Sequence, residues 1–346
     1  MRGMKRCLVR TARLRAADER GVVLPMVALS LVVIMGMAAL VVDLGNGWRT
    51  RRALIPATDA SALASAQDYA KGTNGCAATA GSYLTSNEAT ASLVSCAPFN
   101  YNASQGRVTV TASQNVHTWF AGVIGRGDYP AVSVTTAVWG PPATVTGLRP
   151  IGLCIEGSLP LQNVINNPPV SEMLIRVAYS KDEPADCGGA QVPGNWGTVD
   201  FDGGSNSNTD TKNWISNGFP GEVSFSNHMV TSCAGEAHCY QGDTGALSGL
   251  NSGLTGLKTS GVYFVLPIFN FAQSPGANAH LHLMGVLRVR LIDFKITGAD
   301  SGRYFDLLVK PGLITGTCCG NSSGASGNKV IALCGVDPNA FDACAP

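Results

Sequence analysis

Residues 21–42 read GVVLPMVALSLVVIMGMAALVV, and Asp43-Leu44-Gly45 follow at once. No charge interrupts the run, and at about 1.5 Å of rise per residue one helix of this length crosses the roughly 30 Å hydrocarbon core of a bilayer. Pro25 stands in the first turn, where the N–H it lacks has no intrahelical partner anyway. The run predicts a single transmembrane helix over 21–43. A cleaved secretory signal also begins with basic and then apolar residues, but its apolar part is usually about 7–15 residues and closes at an A-x-A site. This run is longer and has no such site. Gly36, Ala39 and Asp43 fall at i, i+3 and i+7 on one face. That small-residue face either seats another transmembrane helix or is ordinary variation on a lipid-facing surface.

The flanks set the expected orientation. Before the span stand Arg2, Lys5, Arg6, Arg10, Arg13, Arg15 and Arg20 against Asp18 and Glu19; after it come Asp43, Arg49, Arg51 and Arg52. The basic excess on the N-terminal side predicts a cytoplasmic tail over 1–20 and an extracytoplasmic bulk. Cysteine usage points the same way. Cys7 alone precedes the span, and an even number follows it, which suits disulfides in an oxidising compartment. Local pairing is expected for Cys76 with Cys96, Cys154 with Cys187, and Cys233 with Cys239. Cys318, Cys319, Cys334 and Cys344 remain to pair among themselves. The adjacent Cys318 and Cys319 are expected to take different partners, because bonding neighbours strains disulfide geometry.

The run from Ala38 to Ala66, AALVVDLGNGWRTRRALIPATDASALASA, carries a resemblance. It resembles the N-terminal signature of TadG-like proteins of the tight-adherence (Flp) pilus assembly system. That signature has an apolar span, then V-D-x-G, a basic helix and an A-D-A-A-A-L-A-like run. Here these parts are Val42, Asp43 and Gly45, then Arg49, Arg51 and Arg52, then Thr58-Asp59-Ala60-Ser61-Ala62-Leu63-Ala64. The resemblance implies a structural, membrane-anchored component of a tight-adherence pilus assembly or secretion apparatus, not an enzyme. Its implied partners are the membrane and other pilus assembly or pseudopilin-like proteins. Two family features differ: a cut after Gly21 would place Met26 where related pseudopilins have Glu, and no D-x-S-x-S metal motif is present.

Composition bounds the rest. Charged residues make up 14% and the chain holds 41 glycines, which describes a loop-rich, largely β, neutral surface. Beyond Asp43 the acidic groups slightly outnumber the basic ones, so there is no basic field for nucleic acid. No P-loop, G-x-G-x-x-G or H-E-x-x-H occurs, which disfavours nucleotide, dinucleotide and zincin readings.

The expected fold class is α+β: one transmembrane helix, a pilin-like helical stalk, a small α+β unit, then a disulfide-braced β-rich extracytoplasmic domain. The stalk and α+β unit span 44–140. In them the Ala-rich stretch to about Ala70 favours helix, with Pro56 predicting a kink or restart capped by Thr58 or Asp59. A helix over 77–84, strands over 107–111 and 131–139, and a packed helix over 116–124 follow. Residues 141–150, bounded by Pro141-Pro142 and Pro150, read as a linker. Over 151–346 the expected strands are 151–155, 173–179, 261–270, 279–297 and 303–310, with a helix at 210–217 stopped by Gly218.

Several constellations invite chemistry. Asp200, Asp202 and Asp210 bracket DFDGGSNSNTD, an oxygen-rich loop of a kind that holds Ca²⁺, but Gly204 and Thr211 stand where an EF-hand needs its fifth and twelfth ligands. An Asx-rich turn leading to a helix cap accounts for the same residues. Gly320-Asn321-Ser322-Ser323-Gly324 fits G-x-S-x-G without the downstream His of a hydrolase elbow, the last His being His282. His228, Cys233, His238 and Cys239 lack zinc-site spacing, and His280 with His282 lacks a third ligand. No cofactor is expected. The alternative to a structural role is a membrane-anchored extracytoplasmic binding module, for carbohydrate or calcium, or an enzyme.

Overall fold

A computed structural model describes residues 20–73, 75–100, 105–179, 187, 195–203, 208–225, 230–244, 248–274, 276–320 and 327–334. The expected basic tail with Cys7, and the expectations for His228, Ser322 and Cys344, lie outside the described residues.

The first helix, α1 (Arg20–Lys71), joins the apolar span and the Ala-rich run in one element. Its apolar window is fully exposed, with Leu24 at 78% and Met37 at 67%, so these side chains have only surroundings to satisfy them. This is the one described helix long and apolar enough to cross a membrane. The expected restart at Pro56 does not occur, and Thr58 and Asp59 are not caps. The Thr58 hydroxyl donates to Leu54 O at 2.8 Å, and Ser61 and Ser65 donate to Ala57 O and Ser61 O at 2.7 and 2.8 Å. These hydroxyls bond back one turn inside the helix, and Asp59 accepts from Thr135 Oγ1 at 2.7 Å.

The chain divides into two compact units: the described residues of 1–52 with 114–131, and 53–113 with those from 132 onward. The second unit begins with the Ala-rich half of α1, followed by α2 (Cys76–Asn87) and the strands β1 (Ser92–Asn100), β2 (Gly106–Val116) and β3 (Tyr129–Gly140), the last two entering it only in part. On α1, Leu54, Ala57, Ser61, Ala62, Ser65 and Ala66 recur at helical spacing and are buried. Ala62 and Ala66 pack with Ala80, Val108, Val110, Ala137 and Trp139, while Tyr69 stacks on Trp139 at 5.2 Å. Alanine at these positions lets the helix approach the strands closely, and each fully buried Leu, such as Leu54 and Leu84, contributes roughly 1.5–3 kcal/mol.

Past β3 the chain makes β4 (Pro142–Val145), β5 (Ile151–Cys154), α3 (Leu159–Asn166), β6 (Met173–Ala178), β7 (Trp196–Val199) and α4 (Asn208–Asn217). There follow β8 (Val223–Ser224), β9 (Cys239–Thr244), α5 (Asn251–Ser260), β10 (Phe264–Gln273), β11 (Gly276–Lys295), β12 (Tyr304–Val309), β13 (Gly316–Cys318) and β14 (Val330–Leu333). The largest sheet runs β10-β5-β7-β9-β11-β12-β6, and β10 also pairs with β11. Five strands therefore close into a ring. The second half of β11 carries β12 and β6 onward from it, with Leu291 opposite Leu307.

Residues alternate between two cores across this sheet. Leu153 and Ile268 face one, with Trp196 and Leu287; Cys154 and Phe269 face the other, with Val199 and Leu283. Burial on both faces is why β10 reads FVLPIFNFAQ as an almost continuous apolar run. The stretch 141–150, expected as a linker, carries β4, which lies between β13 and β8 in a three-stranded sheet. The C-terminal β14 returns to pair with β3, Ile331 opposite Trp139, and completes the order β1-β2-β3-β14. The helix expected over 116–124 is absent: Val116 ends β2, and only Ala121–Ile124 makes a short 3-10 turn.

Candidate functional site

Within the first unit, the segment linking β2 to β3 is organised by one side chain. The Asp43 carboxylate accepts the backbone N–H groups of Trp119 at 2.9 Å, Phe120 at 3.2 Å and Ala121 at 2.7 Å. These are the unpaired donors at the start of the Ala121–Ile124 turn, so Asp43 caps it from a distant part of the chain. Gly125, at φ 80°, reverses the backbone, and Arg126 N–H donates to Ala121 O at 2.9 Å. Asp128 closes the segment, accepting from Thr118 N–H at 3.0 Å and meeting His117 Nδ1 at 3.0 Å. The Thr118 N–H, then the His117 ring, hold the Asp128 carboxyl below the usual carboxylate range. Asn46 Nδ2 donates to His117 O at 2.9 Å, a second tie from α1.

A cleft of about 700 Å³ lies between α1 and this segment, lined by Gly36, Ala39, Asp43, Phe120, Arg126 and Tyr129 among others. Gly36 and Ala39 supply its small wall on the span, while Asp43 is 9% exposed and occupied by backbone donors. Trp119 and Phe120 point outward, 65% and 46% exposed, and Trp48 on α1 is exposed beneath the Arg52 guanidinium at 4.6 Å. The indoles of Trp48 and Trp119 are aromatic rings with a polar edge, a kind that favours the headgroup level of a bilayer. In this arrangement the one buried carboxylate is spent on positioning a backbone turn. The sequence shows the Gly36, Ala39 and Asp43 face of this cleft but not the segment opposite it. The local signal was an adjacent Trp119-Phe120 pair before Gly122, Gly125 and Gly127.

The other expected residues are placed as follows. Asp200 is 3% exposed and accepts the Asp202 N–H at 3.2 Å. Burial first, then the neighbouring Asp202, pushes Asp200 up to about 6. Asp210 is exposed in the first turn of α4, and among the described residues no group of three or more His, Cys, Asp and Glu side chains converges as on a metal. Cys76 bonds Cys96, Cys154 bonds Cys187 and Cys233 bonds Cys239, with Cα separations of 5.9, 6.1 and 5.8 Å. The last bridge takes both sulfurs that a zinc reading needs. His280 is exposed, whereas His282 is enclosed with its Nδ1 2.6 Å from Asn270 Oδ1.

One cysteine expectation is corrected. Cys318 and Cys319 bond to each other, with Cα atoms 3.1 Å apart across a cis peptide. The short Cα separation of a cis peptide puts neighbouring sulfurs in reach, a case that reasoning from trans geometry leaves out.

Residues 21–68 match the family model described as "Putative Flp pilus-assembly TadE/G-like". The matched stretch covers the apolar span, Asp43 and most of the Ala-rich half of α1, and it is a Tad-type segment. No curated protein and no solved structure matches the chain.

Proposed function

We propose that this chain is a bitopic membrane protein, with residues 1–20 cytoplasmic and the bulk outside. In this reading it serves as a structural TadG-like component that anchors or helps assemble a tight-adherence (Flp) pilus or secretion apparatus. The observation that carries the reading is the match over 21–68, which takes in the span and the helix beyond it as one stretch. The basic excess before the span and the even number of cysteines after it support the orientation.

The role is mechanical. The membrane holds the span, other pilus assembly or pseudopilin-like proteins engage it laterally, and the β-rich part from 151 onward presents a rigid, weakly charged surface outside. Residues 44–140 supply the stalk and most of the small α+β unit, whose sheet β14 completes. Replacing 21–42 with an unrelated apolar span of equal length, in cells carrying the machinery, is expected to preserve membrane insertion and to abolish co-purification with its pseudopilin-like proteins. Undiminished co-purification removes the lateral role of the span.

A further inference from the structure

In the second unit, four cations line one cleft of about 660 Å³: Lys71 at the end of α1, Arg288 on β11, Lys310 just after β12 and Lys329 just before β14. They gather on a chain whose residues beyond Asp43 are slightly acidic overall. Glu172 meets one of them, its Oε1 3.2 Å from Lys310 Nζ. Among the described residues, Lys71, Arg288 and Lys329 have no carboxylate in ion-pair reach. Arg288 and Lys329 are also half-buried, and burial pulls both of their pKa values down.

The cations stand on a fixed frame. Lys329 N–H donates to Gly312 O at 3.0 Å and its own carbonyl accepts Ile314 N–H at 3.0 Å. Arg288 Nη1 donates to Lys310 O at 3.1 Å, and its guanidinium lies 4.3 Å from the centre of the Tyr263 ring. Gly327, at φ +76°, closes the cleft wall: a Cβ there would lie 2.8 Å from Pro168 Cβ and 3.1 Å from Pro311 Cβ. Asn328, 1% exposed, ties the wall to both sides, accepting from Gly312 N–H at 3.2 Å and donating to Val286 O at 3.3 Å.

A solvated lysine face keeps its ammonium groups apart and in water. Here Arg288 and Lys329 are partly withdrawn from solvent and, with Lys71, lack a counter-charge among the described residues, an arrangement whose repulsion an entering anion relieves. We propose that this cleft binds a phosphate-type oxyanion, either free or carried on a polymer. The planar guanidinium of Arg288 offers its remaining N–H groups to the oxygens, and the three lysines act as point charges around them. This assignment stands apart from the pilus reading and fails or survives without it.

The test is calorimetric titration of the full chain in detergent with inorganic phosphate and with polyphosphate, each against chloride at matched ionic strength. Saturable binding is expected, weakened about tenfold or more by Lys329→Met and by Lys71→Met. Lys212→Met, on an exposed lysine of α4, is expected to leave it unchanged. Lys71 is exposed at a helix end, so its variant keeps the fold even if Lys329→Met does not. Tighter binding of polyphosphate per phosphate group assigns the site to a polymer, and equal binding assigns it to the free ion; both support the cleft. Absence of binding beyond chloride, or an affinity that neither Lys329→Met nor Lys71→Met changes, overturns it.

Discussion

The Asp43 carboxylate and the Ala121 backbone N–H meet at 2.7 Å, although 78 positions separate them in sequence. The charge at the end of the apolar run is therefore part of a folded unit. Asp43→Ala leaves three successive N–H groups without their acceptor, which loosens the turn they open. Trypsin cleavage after the exposed Arg126 is expected to quicken several-fold in Asp43→Ala, with Asp43→Asn intermediate because one carbonyl oxygen remains. Unchanged cleavage contradicts the capping role.

Asp200 makes stability fall as pH rises. Its folded value, raised from 3.8 to about 6, means that the folded chain holds this proton more tightly than the unfolded chain does. The associated stability is complete below 3.8 and is lost as pH climbs to about 6. Asp293 acts in the opposite sense outside that window: Lys258 first, then Tyr304, lowers it to about 2, so its contribution disappears only on acidification below 3.8. Denaturant midpoints measured at pH 4.5 and pH 7 should differ in the wild-type chain. Asp200→Asn should narrow that difference by raising the pH 7 midpoint, and an unaltered pH dependence counts against the assignment.

The Cys76–Cys96 bridge spans 20 positions and ties α2 to the edge strand β1. Closing a loop of that size in the unfolded chain stabilises by about 3 kcal/mol. Cys76→Ser with Cys96→Ser is expected to lower stability by roughly that amount, with the span still inserted. Non-reducing peptide mapping should recover Cys76 with Cys96, Cys154 with Cys187, and Cys233 with Cys239.

Strand β14 covers the free edge of β3, pairing from Val330 opposite Gly140 to Leu333 opposite Ala137. Truncation after Lys310 strips that edge and uncovers Val138, which packs against Cys318 and Val330. The truncated chain is expected to melt at a clearly lower temperature and to self-associate. A fragment ending near residue 140 should suffer likewise unless 327–334 is supplied. An unchanged melting temperature would make β14 dispensable.

Local signals carried the span and much of the β-rich part into view. Hydropathy read the long apolar helix, Ala-rich composition read its continuation to about Ala70, and the apolar runs expected as strands over 261–270 and 279–297 fall on β10 and β11, which run over 264–273 and 276–295. Long-range partners did not show. Val116–Ile124 looked helical by composition, but its geometry is decided by Asp43, which no local spacing connects to it. Helix α5 was hidden because Gly253, Thr255 and Gly256 depress helix propensity, although Leu250, Leu254 and Leu257 kept the apolar period. Strand β1 lacks clean alternation and holds Pro98, which an edge strand tolerates. The cationic cleft was equally invisible, since the fold brings Lys71 and Lys329 to one cleft from distant parts of the chain.

The most direct measurement is the amount of pilin sheared from the surface of cells that carry the tight-adherence machinery but lack this chain, compared with the same cells given it back. Loss of surface pilin on deletion and its recovery on restoration is the result predicted for a component that anchors or assembles the pilus. Equal pilin in both would contradict that role.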